Sequence, residues 1–147
     1  MHLNQKIERG KLRWNCTESG CFNQLRRPKI EQFADCFPGR IALGDVDGIC
    51  QIGECFFLLE WKTQGRNILT GQRILYERLS AKGFWVLIVN GNAETMEVQA
   101  YCEFWNGKQL QWRAANFNDV HSRIKKWADW AEGLKKSSKA FAGRKTC

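Results

Sequence analysis

Asp47, Glu60 and Lys62 are the residues of this sequence whose types and spacing best suit chemistry. They fall in Gly44-Asp45-Val46-Asp47-Gly48-Ile49-Cys50 and, after a turn, in Phe57-Leu58-Leu59-Glu60-Trp61-Lys62. Successive side chains of a strand alternate faces, so Glu60 and Lys62 point one way while Leu59 and Trp61 point the other. Asp47 lies on the neighbouring strand across a short hairpin. Two carboxylates and an ammonium thus converge at one end of a sheet whose surroundings are apolar. Burying such charges without a partner costs several kcal/mol, and a divalent cation offsets that cost. Hard ions such as Mg²⁺ take carboxylate and carbonyl oxygens and keep several waters for a phosphate group. A bound ion of this kind polarises a phosphoryl oxygen and makes bound water a nucleophile, with Lys62 placed to hold that water or to stabilise charge in the transition state. The plainer reading is a surface ion-pair cluster on an edge hairpin, and the apolar run before Glu60 argues against it. Asp45 is read as a turn residue or a solvated acid in preference to a second ligand.

An Asp at a strand end, a hairpin, and Glu60-x-Lys62 on the next strand resemble the signature of the PD-(D/E)XK metal-dependent nucleases. The first motif reads Val46-Asp47-Gly48 and lacks the Pro of the family's name. Downstream, Gln72-Arg73-Ile74-Leu75-Tyr76 is similar to the Gln-x-x-x-Tyr motif of the RecB-type and lambda-exonuclease-type branch. Residues four apart share a helical face, so Gln72 and Tyr76 can look into one cleft. The competing reading is a polar helix position and a partly buried ring with its hydroxyl in water. Glu31, on the first helix, stands where many members of the family carry a further acid facing the metal, and reads equally as an exposed helix residue.

The resemblance spans about residues 29–90. It implies Mg²⁺ or Mn²⁺ on Asp47, Glu60 and the Trp61 backbone carbonyl, with Lys62 at the water and Gln72 and Tyr76 orienting the site and the scissile strand. It also implies hydrolysis of phosphodiester bonds, of DNA before RNA, in the processing of DNA ends, junctions or invading DNA. Together with the small size, it suggests a phage or mobile-element protein. The alternative is a non-catalytic protein of the same fold that binds nucleic acid or inhibits a nucleic-acid enzyme.

The elements that must position these residues follow from periodicity. Ile30, Phe33, Ala34 and Phe37 recur at helical spacing between Pro28 and Pro38-Gly39, predicting a short helix over about 29–37. Residues 41–52 and 55–62 read as a hairpin turned at Gly53-Glu54, and Thr70 as the N-cap of a helix through about Lys82. Residues 84–90 form a nearly continuous apolar run of the kind buried on both faces of a sheet, with Asn90-Gly91-Asn92 as a turn. Strands over 98–105 and 109–113 are predicted about Asn106-Gly107. A last helix begins near Asn118 with Val120, Ile124, Trp127, Ala128, Ala131 and Leu134 on one stripe, and ends at Gly133 or the Lys-Ser tract. The fold class expected is α/β (α+β), a central mixed sheet flanked by helices as in restriction endonucleases. It is read as one domain over 1–134, with residues 1–28 basic and partly irregular and 135–147 a basic flexible tail.

Composition bounds the rest. The chain has 147 residues, 44% of them apolar types and 26% charged, which suits one domain with a real core and excludes a disordered or collagenous protein. No apolar run approaches the roughly 20 residues of a membrane span, and the N-terminus lacks a signal-peptide stretch, so a cytoplasmic protein without a membrane partner is expected. Seven cysteines are then expected to be reduced. Cys16, Cys21 and Cys36, with His2, form a candidate structural zinc set, disfavoured by irregular spacing. Residues 1–30 hold seven Lys and Arg against two acids, residues 122–147 eight against two, and residues 31–121 eight against eleven. Basic ends suit a polyanion and an acidic middle suits a cation. Arg123, Lys125, Lys126, Lys135 and Lys136 are the expected phosphate contacts, which give affinity without sequence choice. Trp127 and Trp130 read as packing residues, while Trp105 and Trp112 are weaker candidates for base stacking. Because one small domain covers little of a duplex, a homo-oligomer is expected.

Overall fold

A computed structural model describes residues 28–143. The chain divides into two units, Met1–Gly44 and Asp45–Cys147, where the sequence suggests one domain over 1–134. In the first unit the predicted helix is a 3-10 helix over Ile30–Cys36. Its N-cap Lys29 makes no side-chain cap bond, and extended backbone at Phe37 ends it before Pro38. Phe33, assigned to an apolar stripe, is 54% exposed.

The second unit is built on a six-stranded mixed sheet. Strands β1 (Gly48–Ile52) and β2 (Cys55–Thr63) form an antiparallel hairpin, with Gly53 at φ 58° in its turn. Strand β1 starts at Gly48, not at residue 41: its pairing with β2 ends at the Gly48–Leu59 pair, and β2 runs on alone to Thr63 at that edge. Helix α1 (Thr70–Ala81) carries the chain across to β3 (Phe84–Asn92), which lies parallel to β2 from the Phe56–Phe84 pair to the Thr63–Gly91 pair. Leu69, in extended conformation, is the N-cap of α1, and Thr70 is already helical.

The Asn90-Gly91-Asn92 turn signal is a different feature. β3 continues through Asn92 with a register shift at Asn90/Gly91, and the chain reverses at 93–96, where Asn92 Oδ1 accepts the Glu94 and Thr95 N–H groups at 2.9 and 3.2 Å. Strand β4 (Glu97–Trp105) returns antiparallel to β3. The expected strand over 109–113 is two short pieces, β5 (Lys108–Gln109) and β6 (Arg113–Ala114), both paired with β4. Sheet order is β1-β2-β3-β4-β5, with β6 also on β4. Helix α2 spans Phe117–Gly143, so it passes Gly133 and converts most of the expected flexible tail to helix. Gly133 is accommodated because a lone glycine costs only about 1 kcal/mol in a long helix.

Alternation along the central strands divides the core between the two helices. Phe57, Trp85, Leu87, Val89 and Tyr101 pack with Val120, Trp127 and Ala131 of α2 on one face. Leu58, Val86, Ile88, Cys102 and Phe104 pack with Tyr76 of α1 on the other. Residues Trp85 through Val89 are all buried, as a strand covered on both faces requires. Each such aliphatic side chain contributes about 1.5–3 kcal/mol on burial. Among the described residues, no helix is long and apolar enough to cross a membrane.

Candidate active site

The α1 face of β2 and β3 is apolar in its lower part and polar at the end where β2 runs past β1. Glu60 and Lys62 stand there on the same side of β2, with side chains only 12% and 13% exposed, and Lys62 Nζ lies 3.2 Å from Glu60 Oε1. Asp47 immediately precedes β1. Because Gly48 pairs with Leu59, continuing the antiparallel register sets Asp47 opposite Glu60, and residues opposite one another in such a pair share a face. Asp47 Oδ2 accepts the Trp61 backbone N–H at 2.6 Å, which ties the acid to β2 where the ladder stops. A strand residue directs its N–H and C=O toward the same neighbour, so the Trp61 carbonyl also faces the Asp47 side. The Trp61 indole, on the opposite face, donates Nε1–H to the Gly91 carbonyl at 3.1 Å and locks the strand end in place.

Helix α1 closes the site. Lys62 Nζ donates to Gln72 Oε1 at 2.7 Å, so its ammonium is held between a carboxylate and an amide oxygen. One turn further on, Tyr76 is buried against Phe104 in an edge-to-face contact of 5.5 Å, and its hydroxyl lies beside Glu60. The five residues Asp47, Glu60, Lys62, Gln72 and Tyr76 are therefore brought together on one face.

Electrostatics follow from this crowding. Burial raises the Glu60 carboxyl above its ordinary range; the Lys62 hydrogen bond pulls the other way, and the charges of Asp47 and Asp45 raise it further. Burial likewise raises the Tyr76 phenol, with Glu60, Asp47 and Asp45 adding to the effect. Tyr76 thus stays a neutral hydrogen-bond donor at any physiological pH. Asp45, read from the sequence as a turn or solvated residue, belongs to the field of the site. Alternation could have flagged it, being two residues from Asp47, but residues 41–47 are not in a strand.

Among the described residues, no group of three or more His, Cys, Asp or Glu side chains is gathered so as to hold a metal ion. Mg²⁺ commonly takes only one or two carboxylates and completes its octahedron with water and phosphate. Asp47, Glu60 and the Trp61 carbonyl could offer oxygen donors of that type. Glu31 belongs to the first unit. Cys16, Cys21 and His2 lie outside the described residues, and Cys36 is an exposed thiol at the end of the 3-10 helix.

The basic residues of α2 are elsewhere. Arg123 sits over the Trp85 ring at 4.5 Å and pairs with Glu103 at 2.5 Å, on the sheet face away from Glu60. Lys125 pairs with Asp129 at 3.1 Å in solvent. Lys135 packs its stem beside Gly53, and Lys136 is exposed. Trp127 is core as expected, whereas Trp130, also read as packing, is 47% exposed. Comparison with protein-family models, with curated proteins and with solved structures gives no match for this chain.

Proposed function

We propose that this chain is a Mg²⁺-dependent nuclease that hydrolyses phosphodiester bonds, with DNA as the substrate class. The observation that carries the reading is the convergence, on one face of the sheet, of Asp47 and Glu60 with a Lys62 ammonium held by Gln72. Glu60 is charged only at an energetic cost, being buried beside a second carboxylate. A site that keeps two acids so close gains most from a cation that both can share. When bound, Mg²⁺ supplies Lewis acidity to a phosphoryl oxygen and lowers the pKa of a coordinated water.

The chain's own residues do the remainder. Asp47 and Glu60 would hold the ion, with the Trp61 carbonyl as a third oxygen. Lys62 orients the attacking water and stabilises the charge that builds on the phosphate. Gln72 fixes the Lys62 ammonium, and Tyr76 donates to Glu60 and holds its rotamer. The proposed setting is cytoplasmic DNA processing, in keeping with the family that the motifs resemble, and the working form is a homo-oligomer. The test is incubation of the purified chain with labelled linear, circular, single-stranded and branched DNA in Mg²⁺, Mn²⁺ or EDTA. Cleavage that needs the metal is expected. Tight binding without cleavage under any metal would overturn the enzyme and leave the non-catalytic binder.

A further inference from the structure

On the sheet face opposite the carboxylates, α2 and the outer strands leave a groove lined by tryptophan. Its floor is Trp85 and Trp127, stacked at a centroid distance of 5.7 Å and both buried. Its rim is Trp105 and Trp130, which meet edge to face at 6.3 Å and keep 37% and 47% of their surfaces in solvent. This aromatic cavity encloses about 240 Å³, and the cations at its side are Arg123 and Lys126. A second, more polar cavity shares those two cations and extends the groove to Arg113 and Ser122.

The charges along the groove are unevenly matched. Glu103 accepts the Trp85 indole N–H at 3.1 Å and pairs with Arg123, and Asp119 exchanges capping bonds with Asn116 at 2.8 and 3.0 Å. Glu103 is thus engaged inside the fold, while Asp119, exposed at the polar end, keeps one negative charge against Arg113 and Lys126. Arg113 and Lys126 make no ion pair among the described residues. Exposed indole faces next to cations in excess of the nearby carboxylates are what a single strand recognises, because unpaired bases stack on aromatic rings while cations track the phosphates. Bases in a duplex are already stacked on one another and have no free face to offer an indole. An acidic peptide offers the charge but no flat ring for the tryptophans.

We infer that this groove binds single-stranded nucleic acid, one base stacking on the Trp130 face with its edge against Trp105 and the neighbouring phosphates meeting Lys126 and Arg113. Its occupancy does not depend on cleavage at the opposite face, so the two readings are tested apart.

The experiment titrates the full chain in EDTA with a short oligothymidylate, with a duplex of equal length, with thymidine monophosphate and with oligoglutamate, following indole fluorescence. The oligothymidylate is expected to quench the emission and to bind more tightly than the other three. Trp130→Ala should weaken it by about tenfold or more, the order of one lost stack, and Trp130→Phe should recover most of the loss. Lys126→Ala should lower the salt dependence by about one phosphate contact, roughly 0.7 in the log-log slope. Arg78→Ala, a charge removal on exposed α1 surface, should bind like the wild type. The inference is overturned if Trp130→Ala and Lys126→Ala both bind the strand unchanged. It is equally overturned if the duplex, the mononucleotide or oligoglutamate binds as tightly as the strand.

Discussion

Glu60 keeps its proton more tightly than a free carboxyl because the fold buries it and sets Asp47 and Asp45 near it. Linkage gives the sign. From the ordinary 4.5 upward to the folded-state value, the native chain binds more protons than the unfolded one, so stability falls as pH rises through that window. Glu60→Gln removes the loss. In EDTA its Tm should match the wild type near pH 4 and exceed it at neutral pH, a gap that thermal scans across pH would reveal; equal Tm values at all pH would contradict the assignment. In the proposed mechanism Gln72 acts through Lys62 and not on substrate. Gln72→Ala should lower the cleavage rate by roughly 10²-fold, as loss of positioning does, while leaving metal affinity near the wild type, measured by Mn²⁺ binding. Much of this residue-scale arrangement is legible in the sequence. Period-two alternation puts Glu60 and Lys62 together, and the four-residue spacing puts Gln72 and Tyr76 on one face. Asp45 is not legible, because its influence depends on how an irregular segment enters β1. Trp130 is missed because a helix stripe does not say where the sheet beneath it ends.

At the scale of elements, β3 carries the fold and its far end braces the end of β2 that bears Glu60 and Lys62. Gly91 lies at the register shift, where a Cβ would run into the Glu97 carbonyl. Its own carbonyl receives the Trp61 indole. Gly91→Ala should therefore destabilise by about 1–3 kcal/mol, as overpacking does, and reduce activity through Trp61; urea unfolding measures the first part. The sequence signal there was real but ambiguous, since an isolated glycine in a strand marks a bulge as readily as a turn. Ser80 supplies a second joint. Its hydroxyl donates to the Glu77 carbonyl at 3.0 Å and accepts the Gly107 N–H at 3.0 Å, tying the end of α1 to the turn between β4 and β5. Ser80→Ala leaves that N–H without its partner and should cost about 1–3 kcal/mol. No periodicity announces such a bond, because Ser80 and Gly107 meet only when α1 and the turn are both in place. The length of α2 escaped for a related reason: Gly133 and the Lys-Ser tract are stop signals that the sequence around them does not obey.

At the scale of the whole molecule, the buried apolar residues described all lie between Phe57 and Ala131, within the second unit. Residues 45–147 alone should therefore unfold cooperatively with the same secondary structure, which circular dichroism and denaturant titration would check; a non-cooperative transition would contradict the division. The uneven charge of the chain also takes on a spatial meaning there. Three acids of the middle segment, Asp45, Asp47 and Glu60, stand at the end of β2, and cations of α2 line the opposite face with exposed tryptophans. The central claim is that Asp47, Glu60 and Lys62 cleave phosphodiester bonds. Its most direct test is the initial rate of DNA cleavage in Mg²⁺ by the wild type and by Lys62→Ala, after both are shown to be folded. The account predicts metal-dependent cleavage by the wild type and a rate at least about 10²–10³-fold lower without the lysine, the usual loss of a transition-state charge partner. Equal rates for the two proteins, or no cleavage by the wild type with either Mg²⁺ or Mn²⁺, would contradict it.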